Sequence, residues 1–267
     1  MFWRFKTMWA AVMVLRKEAL DAEIISNRAV ASDIYRLEAR GALFAQAALP
    51  GQFLQVYINK PDLFLRRPLG IAAVDEKKGT IAMYYRVIGK GTAALARMKA
   101  GEVVNCLGPL GNGFSLAASR PLLIGGGMGL APLLFLAQRF LGKAAVLIGG
   151  RNKAEVFWTD FFAPLTRHVF ITTDDGSAGK KGFTTSLLPM LLQEYRFDAL
   201  YACGPEIMMK KIATIAAEEA VPCQVSLERR MACGLGACLS CVIDAKDGGR
   251  KKVCQDGPVF WAQEVFG

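Results

Sequence analysis

The chain has 267 residues, more than one typical domain of about 100–200 residues needs. Its 53% hydrophobic and 21% charged residues exclude a disordered, collagenous or low-complexity polypeptide. Thirty-three Lys and Arg against 23 Asp and Glu leave a net charge of +10, which suits an anionic ligand, an acidic partner or nucleic acid without choosing among them, while the single histidine, His168, argues against multi-histidine metal sites and histidine-based triads.

Residues 1–17 read as an N-terminal extension. Arg4 and Lys6 precede an apolar run over residues 8–15, closed by Arg16 and Lys17. The run is far short of the roughly 20 residues of a membrane helix. No small-x-small cleavage site follows it. Met8 or Met13 would serve as the start, and no stable membrane span is expected. Residues 18–117 read as short strands. Residues 53–58 and 81–87 carry strand-forming side chains bounded by Pro-Gly, Lys-Gly and Gly-Lys-Gly turns. Several such strands in about 100 residues suggest a small antiparallel barrel.

The pattern changes over residues 118–220. Short apolar strands at 122–124, 144–148, 169–172 and 199–202 alternate with helical stretches at 130–140, 154–162, 184–195 and 205–220. This alternation predicts a parallel α/β sheet with its glycine-rich loops gathered on one edge. Residues 221–267 are cysteine- and glycine-rich and too short for an apolar core of their own, so a staple is expected there.

The staple carries the strongest chemical signal. Cys233, Cys238 and Cys241 form C-x4-C-x2-C, and Cys254 follows after twelve residues. This is the plant-type ferredoxin spacing for a [2Fe–2S] cluster. Gly234, Gly236 and Ala237 would let backbone N–H groups approach the sulfurs, and Arg229, Arg230, Lys251 and Lys252 would offset the cluster's charge. The rival is structural zinc, which favours paired C-x2–4-C hooks, and only one such hook is present. Cys106, Cys203 and Cys223 read as buried small residues, although Cys203, in Cys203-Gly204-Pro205, ends a strand where a thiol could face a nicotinamide ring.

Two further motifs are weaker. Leu65-Arg66-Arg67-Pro68-Leu69-Gly70 places arginines beside a strand, where a guanidinium could hold a diphosphate and the backbone could approach a flat ring. Taken alone, the motif reads better as a solvated basic turn. Tyr84, Tyr85, Arg86, Gly91 and Thr92 would add an aromatic wall, a cation and a close turn. Gly125-Gly126-Gly127-Met128-Gly129 lies between a strand and a helix, suited to a ligand at the helix N-terminus, yet Leu130 breaks the G-x-G-x-x-G fingerprint. Asp174-Asp175-Gly176-Ser177 could touch a ribose or form a plain turn.

Taken together, R-x-P-L, G-G-G-x-G-x-A-P-L and C-G-P resemble the ferredoxin–NADP reductase superfamily. Met231 to Cys241, with Lys252-Val253-Cys254-Gln255-Asp256-Gly257-Pro258, resembles the electron-transfer subunits of dihydroorotate dehydrogenase B within it. The resemblance runs from about residue 20 to the end. It implies a multidomain β plus α/β chain: an FAD-binding β-barrel domain over 18–117, an NAD-binding α/β domain over 118–220 and a [2Fe–2S] domain over 221–267. By motif position it implies FAD on Arg67, Pro68, Leu69, Gly70, Tyr84, Tyr85, Arg86, Gly91 and Thr92. It implies NAD at Gly125, Gly126, Gly127, Gly129 and Cys203, and the cluster on Cys233, Cys238, Cys241 and Cys254. The family usually carries serine where this chain has Gly70. The implied activity is an NAD-linked relay in pyrimidine biosynthesis that uses no catalytic side chain. Its partner would be a catalytic FMN flavoprotein in a cytoplasmic heterotetramer, two of each, with no nucleic acid involved. The same architecture would serve the small subunit of an NADPH-dependent ferredoxin or sulfide oxidoreductase. A zinc-stapled nucleotide-binding regulator is the alternative outside catalysis.

Overall fold

The computed structural model describes residues 17–266, so the expected N-terminal extension lies outside the described residues except for Lys17. Six strands close an antiparallel barrel in the order β1-β2-β5-β4-β3-β6. They are β1 (Glu18–Ala29), β2 (Ile34–Arg40), β3 (Phe53–Tyr57), β4 (Arg67–Asp75), β5 (Thr80–Arg86) and β6 (Val103–Leu110), with α1 (Ala42–Ala47) and α2 (Lys90–Ala96) between them. Side chains alternate along β3 as pleating requires. Leu54 and Val56 join Ile24, Leu37, Ile71 and Met83 in the barrel core, whereas Phe53 packs outward against the C-terminal half.

The second half is built on β7 (Pro121–Gly126), α3 (Leu130–Arg139), β8 (Ala145–Gly150), α4 (Thr159–Phe162), β9 (His168–Thr173), β10 (Lys180–Lys181), α5 (Thr184–Tyr195), β11 (Ala199–Cys203) and α6 (Glu206–Glu218). After these come β12 (Cys223–Ser226), β13 (Val242–Asp244), β14 (Arg250–Lys252), β15 (Val259–Trp261) and α7 (Ala262–Val265). A seven-stranded sheet runs β10-β9-β8-β7-β11-β12-β15, parallel except where β15 pairs antiparallel with β12. Among the described residues, no helix is long and apolar enough to cross a membrane.

Helix α3 joins the halves. Leu130 to Ala137 are all buried, because one side of the helix packs on the sheet and the other on the barrel. Phe135 sits in the barrel core while Leu133 and Leu136 belong to the sheet core.

One expectation is corrected. The helix expected over 154–162 is a 3₁₀ turn (Lys153–Val156) followed by the four-residue α4. Burial of Trp158 and Phe162 in the sheet core, with Trp158 and Phe161 packed on Tyr84, sets this path and overrides helix propensity. The sheet continues past residue 220. Strands β12 and β15 extend the sheet, and Cys241, Ile243, Val253, Cys254 and Phe260 share one core with Leu200, Ile212 and Val225. The short tail gains its apolar interior by adding strands to the preceding domain.

Candidate functional site

A cleft of about 520 Å³ opens where the barrel, α3 and residues 226–231 meet. It is lined by Arg67, Pro68, Leu69, Gly70, Tyr84, Tyr85, Arg86, Thr92 and Cys203, so nine residues singled out in the sequence converge on it. Arg67 is half-buried and donates to the Leu65 carbonyl. A Cβ on Gly91 would lie 2.1 Å from Arg67 Nε, so Gly91 is the shelf under the guanidinium and does not line the cleft. Arg66 turns away: its guanidinium donates to the carbonyls of Gln55 and Asn105, both at 3.1 Å, and to Asn105 Oδ1 at 2.6 Å.

The two tyrosines only border the cleft. Tyr84 packs against Trp158, centroids 5.0 Å apart, and the Tyr85 hydroxyl donates to Asn27 Oδ1 at 2.9 Å. Burial raises both phenols above their ordinary value. Burial also raises the Cys203 thiol, which stays protonated at neutral pH. Thr92 Oγ1 accepts from the backbone N–H of Ile88 at 3.0 Å, fixing the start of α2. A Cβ on Gly70 would meet only Pro132 Cβ, at 3.8 Å, so that position has room to spare.

A second cleft of about 600 Å³ lies at the C-terminal ends of β7, β8 and β9 and the start of α6, the edge where parallel sheets bind ligands. Gly126, Gly127, Gly149, Gly150, Arg151, Thr172, Asp174, Phe183, Met208 and Lys211 line it. Arg86 borders both clefts. Gly125 and Gly129 are packing positions. A Cβ on Gly125 would strike Leu130 Cδ2 at 2.5 Å, and one on Gly129 would strike the Cys203 carbonyl at 2.3 Å. A third cavity, of about 630 Å³, lies between the barrel and the far end of α3 and holds none of the expected residues; two of its arginines already pair, Arg36 with Glu38 and Arg139 with Glu76.

The cysteines form two neighbouring pairs. Cys233 Sγ accepts from the N–H groups of Leu235 (3.3 Å) and Cys238 (3.5 Å), and Cys241 Sγ accepts from the N–H of Cys254 (3.4 Å). Partial burial opposes ionisation of Cys233, but these backbone donors outweigh it and hold the thiol down at about 6. Burial and the neighbouring Cys241 push Cys254 up to about 12. Gly234 (φ +71°) and Gly236 (φ +83°) supply left-handed turns that L side chains resist, and these turn the N–H groups toward sulfur. Among the described residues, no three of His, Cys, Asp and Glu gather around one point. Two thiol pairs suit two irons. Asn112 bolts the loop to the barrel: its N–H donates to Gly257 O (2.5 Å) and its side chain to Asp256 O (2.7 Å).

Residues 228–266 match the family described as "Iron-sulfur cluster binding domain of dihydroorotate dehydrogenase B", and residues 21–114 match "Oxidoreductase FAD-binding domain". The "Dihydroorotate dehydrogenase B (NAD(+)), electron transfer subunit" of Desulforamulus reducens is 40% identical over 93% of this chain and 98% of its own. That of Bacillus caldolyticus is 42% identical over 91% and 96%. The chain belongs to this family of electron-transfer subunits. A solved NADH-dependent reduced ferredoxin–NADP oxidoreductase shares its fold with a TM-score of 0.82 and 33% identity, covering 91% of this chain and 89% of that one. As a dihydroorotate dehydrogenase B-type electron-transfer subunit, the chain is an oxidoreductase component with FAD and iron–sulfur domains.

The residues fit those groups. The first cleft offers a shelved guanidinium beside an exposed strand edge, suited to a diphosphate and a flat ring. The loop offers paired thiols already met by backbone donors. Sequence reasoning missed Ser226, Leu227 and Glu228 in the first cleft, gave Arg229, Arg230, Met231, Met128 and Pro132 no place in it, and missed Gly149, Arg151, Thr172 and Lys211 in the second. The pair Gly149-Gly150 at a strand end was a usable signal. The others gain their places only through tertiary folding.

Proposed function

We propose that this chain carries electrons between NAD and a dihydroorotate-oxidising FMN flavoprotein subunit, with FAD in the first cleft and a [2Fe–2S] cluster on Cys233, Cys238, Cys241 and Cys254. One observation carries the reading: residues 226–231 wall the first cleft and lead directly into Cys233, so one short segment spans from flavin to cluster. FAD, when bound, exchanges the electron pair of a nicotinamide for the single electrons that a cluster takes.

The chain's own residues bind, orient and exclude water. Arg67 holds the diphosphate on its Gly91 shelf. Pro68, Leu69 and Gly70 give a flat edge for the ring, and Tyr84, Tyr85, Arg86 and Thr92 complete the wall. Gly126 and Gly127 let the NAD diphosphate approach the sheet edge, while Gly125 and Gly129 keep α3 seated. Cys203 ends β11 as a buried neutral thiol between the clefts. On the cluster loop, Gly234 is buried against Gln55 of the barrel and Cys241 in the core shared with the sheet, whereas Leu235, Cys238 and Leu239 are exposed. That outward face is where the partner docks, in a complex of two copies of each subunit. The close-spaced free thiols suit the reducing cytoplasm.

The 33% identical ferredoxin-linked structure supplies a second reading, in which ferredoxin replaces the flavoprotein partner. The test is reconstitution with the catalytic subunit. The pair reduces NAD⁺ with dihydroorotate, and Cys238→Ser abolishes this while NADH-to-dye activity through FAD persists. A pair that fails with dihydroorotate yet reduces NADP⁺ with reduced ferredoxin moves the assignment to the second reading.

A further inference from the structure

Among the described residues, Gln55 is the side chain with two buried polar atoms that lack partners, and the reading above leaves it unused. It sits mid-way along β3, is 0% exposed, and neither Oε1 nor Nε2 has a hydrogen-bond partner. A buried carboxamide with both ends unmet is costly, and native structures rarely keep one without a purpose. Its backbone is firmly held: the Gln55 carbonyl accepts from Arg66 at 3.1 Å, and its residue is in register with Pro68 on β4 and Leu107 on β6.

The side chain's neighbour identifies its task. A Cβ on Gly234 would lie 2.7 Å from Gln55 Nε2 and 2.8 Å from its Cγ, so the cysteine loop rests directly on the carboxamide. Phe53, two residues earlier on the same outward face, lines the first cleft. One strand face therefore presents an aromatic ring to the flavin cleft and an unpaired amide to the cluster loop. The only strong acceptors that the loop's chemistry would add are the sulfurs of the cluster. An N–H donor to such a sulfur stabilises the more negative, reduced form and raises the potential.

We propose that Gln55, reaching out from the barrel beneath Gly234, donates a hydrogen bond to a sulfur of the iron–sulfur centre and tunes that centre's potential from the flavin side. The inference rests on the cysteine loop holding its cluster. Gln55 acts through the cluster and has no part in binding FAD.

The experiment uses the full-length protein with its cofactors, as wild type, Gln55→Leu and Gln55→Glu. Leucine keeps the bulk under Gly234 and removes the donor. Glutamate keeps the shape and puts an acceptor beside an anionic centre. Iron, acid-labile sulfide and FAD are quantified, and the cluster is titrated against potential by electron paramagnetic resonance. The expected result is unchanged FAD content and dye reduction, with the cluster potential falling in Gln55→Leu and further in Gln55→Glu. For leucine the shift corresponds to about a tenfold change in the one-electron equilibrium with the flavin, about 59 mV. Loss of iron from Gln55→Leu at unchanged FAD content supports the proposal equally, since the bulk is retained. Potentials and spectra equal to wild type in both variants overturn it and leave the amide to a buried water. Wild-type protein without iron and sulfide overturns the cluster reading itself, and this inference with it.

Discussion

The two clefts are of similar size but are assembled differently. The proposed flavin cleft takes its walls from the barrel, from α3 and from residues 226–231, so its lining spans positions 51 to 258. The proposed dinucleotide cleft takes nearly all of its lining from one sheet edge, positions 126 to 211, with Arg86 as the barrel's contribution. The first is built by three separate parts of the chain, and the second almost entirely by one sheet edge. Helix α3 is the hinge of the comparison, because its start packs under Cys203 between the two clefts.

The largest expected effect is at that joint. In Gly129→Val the new side chain would overlap the Cys203 carbonyl, a backbone atom that cannot swing aside. Overpacking of this kind costs about 3 kcal/mol, or a Tm drop of roughly 6–12 °C in a chain of this size. Differential scanning calorimetry with FAD quantitation measures it, and FAD retention should fall together with NADH affinity. Wild-type melting with weakened NADH binding alone would show that the clefts are not coupled through α3.

Arg67→Ala separates the clefts more gently. On the proposed assignment it removes charge-assisted hydrogen bonds to the flavin's diphosphate, each worth about 1.5–3 kcal/mol, and the expected outcome is a roughly 10- to 150-fold fall in FAD affinity. Flavin fluorescence titration after desalting reads the loss. The dinucleotide cleft should keep its affinity for ADP-ribose, and parallel loss there would mean that the flavin site also props open the second cleft.

The same contrast explains what the sequence made legible. Strands β7 and β8 and helices α3, α5 and α6 stand within a few residues of their expected positions, because each is an unbroken apolar run or a clear amphipathic repeat. The cysteine spacing was legible because its pattern is local, and residues 228–266 match an iron–sulfur family model; Arg67 stood out in the sequence for the same reason and lines the first cleft. Chain-local patterns could not show that Gly91 shelves Arg67, that Gly129 supports Cys203, or that β12 and β15 continue the sheet. Those facts belong to pairs of residues tens of positions apart. Gln55 was invisible for the same reason: one glutamine in a strand means nothing until Gly234 is laid upon it.

The smallest expected effect is at the tether of the flavin cleft's third wall. Glu206, at the start of α6, accepts from Lys210 Nζ at 2.9 Å and from Arg229 Nη2 at 3.0 Å, tying residues 226–231 to the α/β half. The hydrogen bonds from Lys210 and then Arg229 hold its carboxyl below the ordinary glutamate value of 4.5. A carboxyl depressed on folding adds stability that is present above its unfolded value and lost as pH falls through its folded one. The tether is partly exposed, so Glu206→Gln should cost only about 0.2–1 kcal/mol. That difference should persist from neutral pH to about pH 5 and shrink below the ordinary glutamate value, where the wild-type carboxyl is also neutralised. Urea unfolding at pH 7 and pH 3.5 checks the sign. A cost that instead grows on acidification would show that Glu206 acts through something other than its charge, and would remove the ion-pair tether from the account of how the flavin cleft is closed.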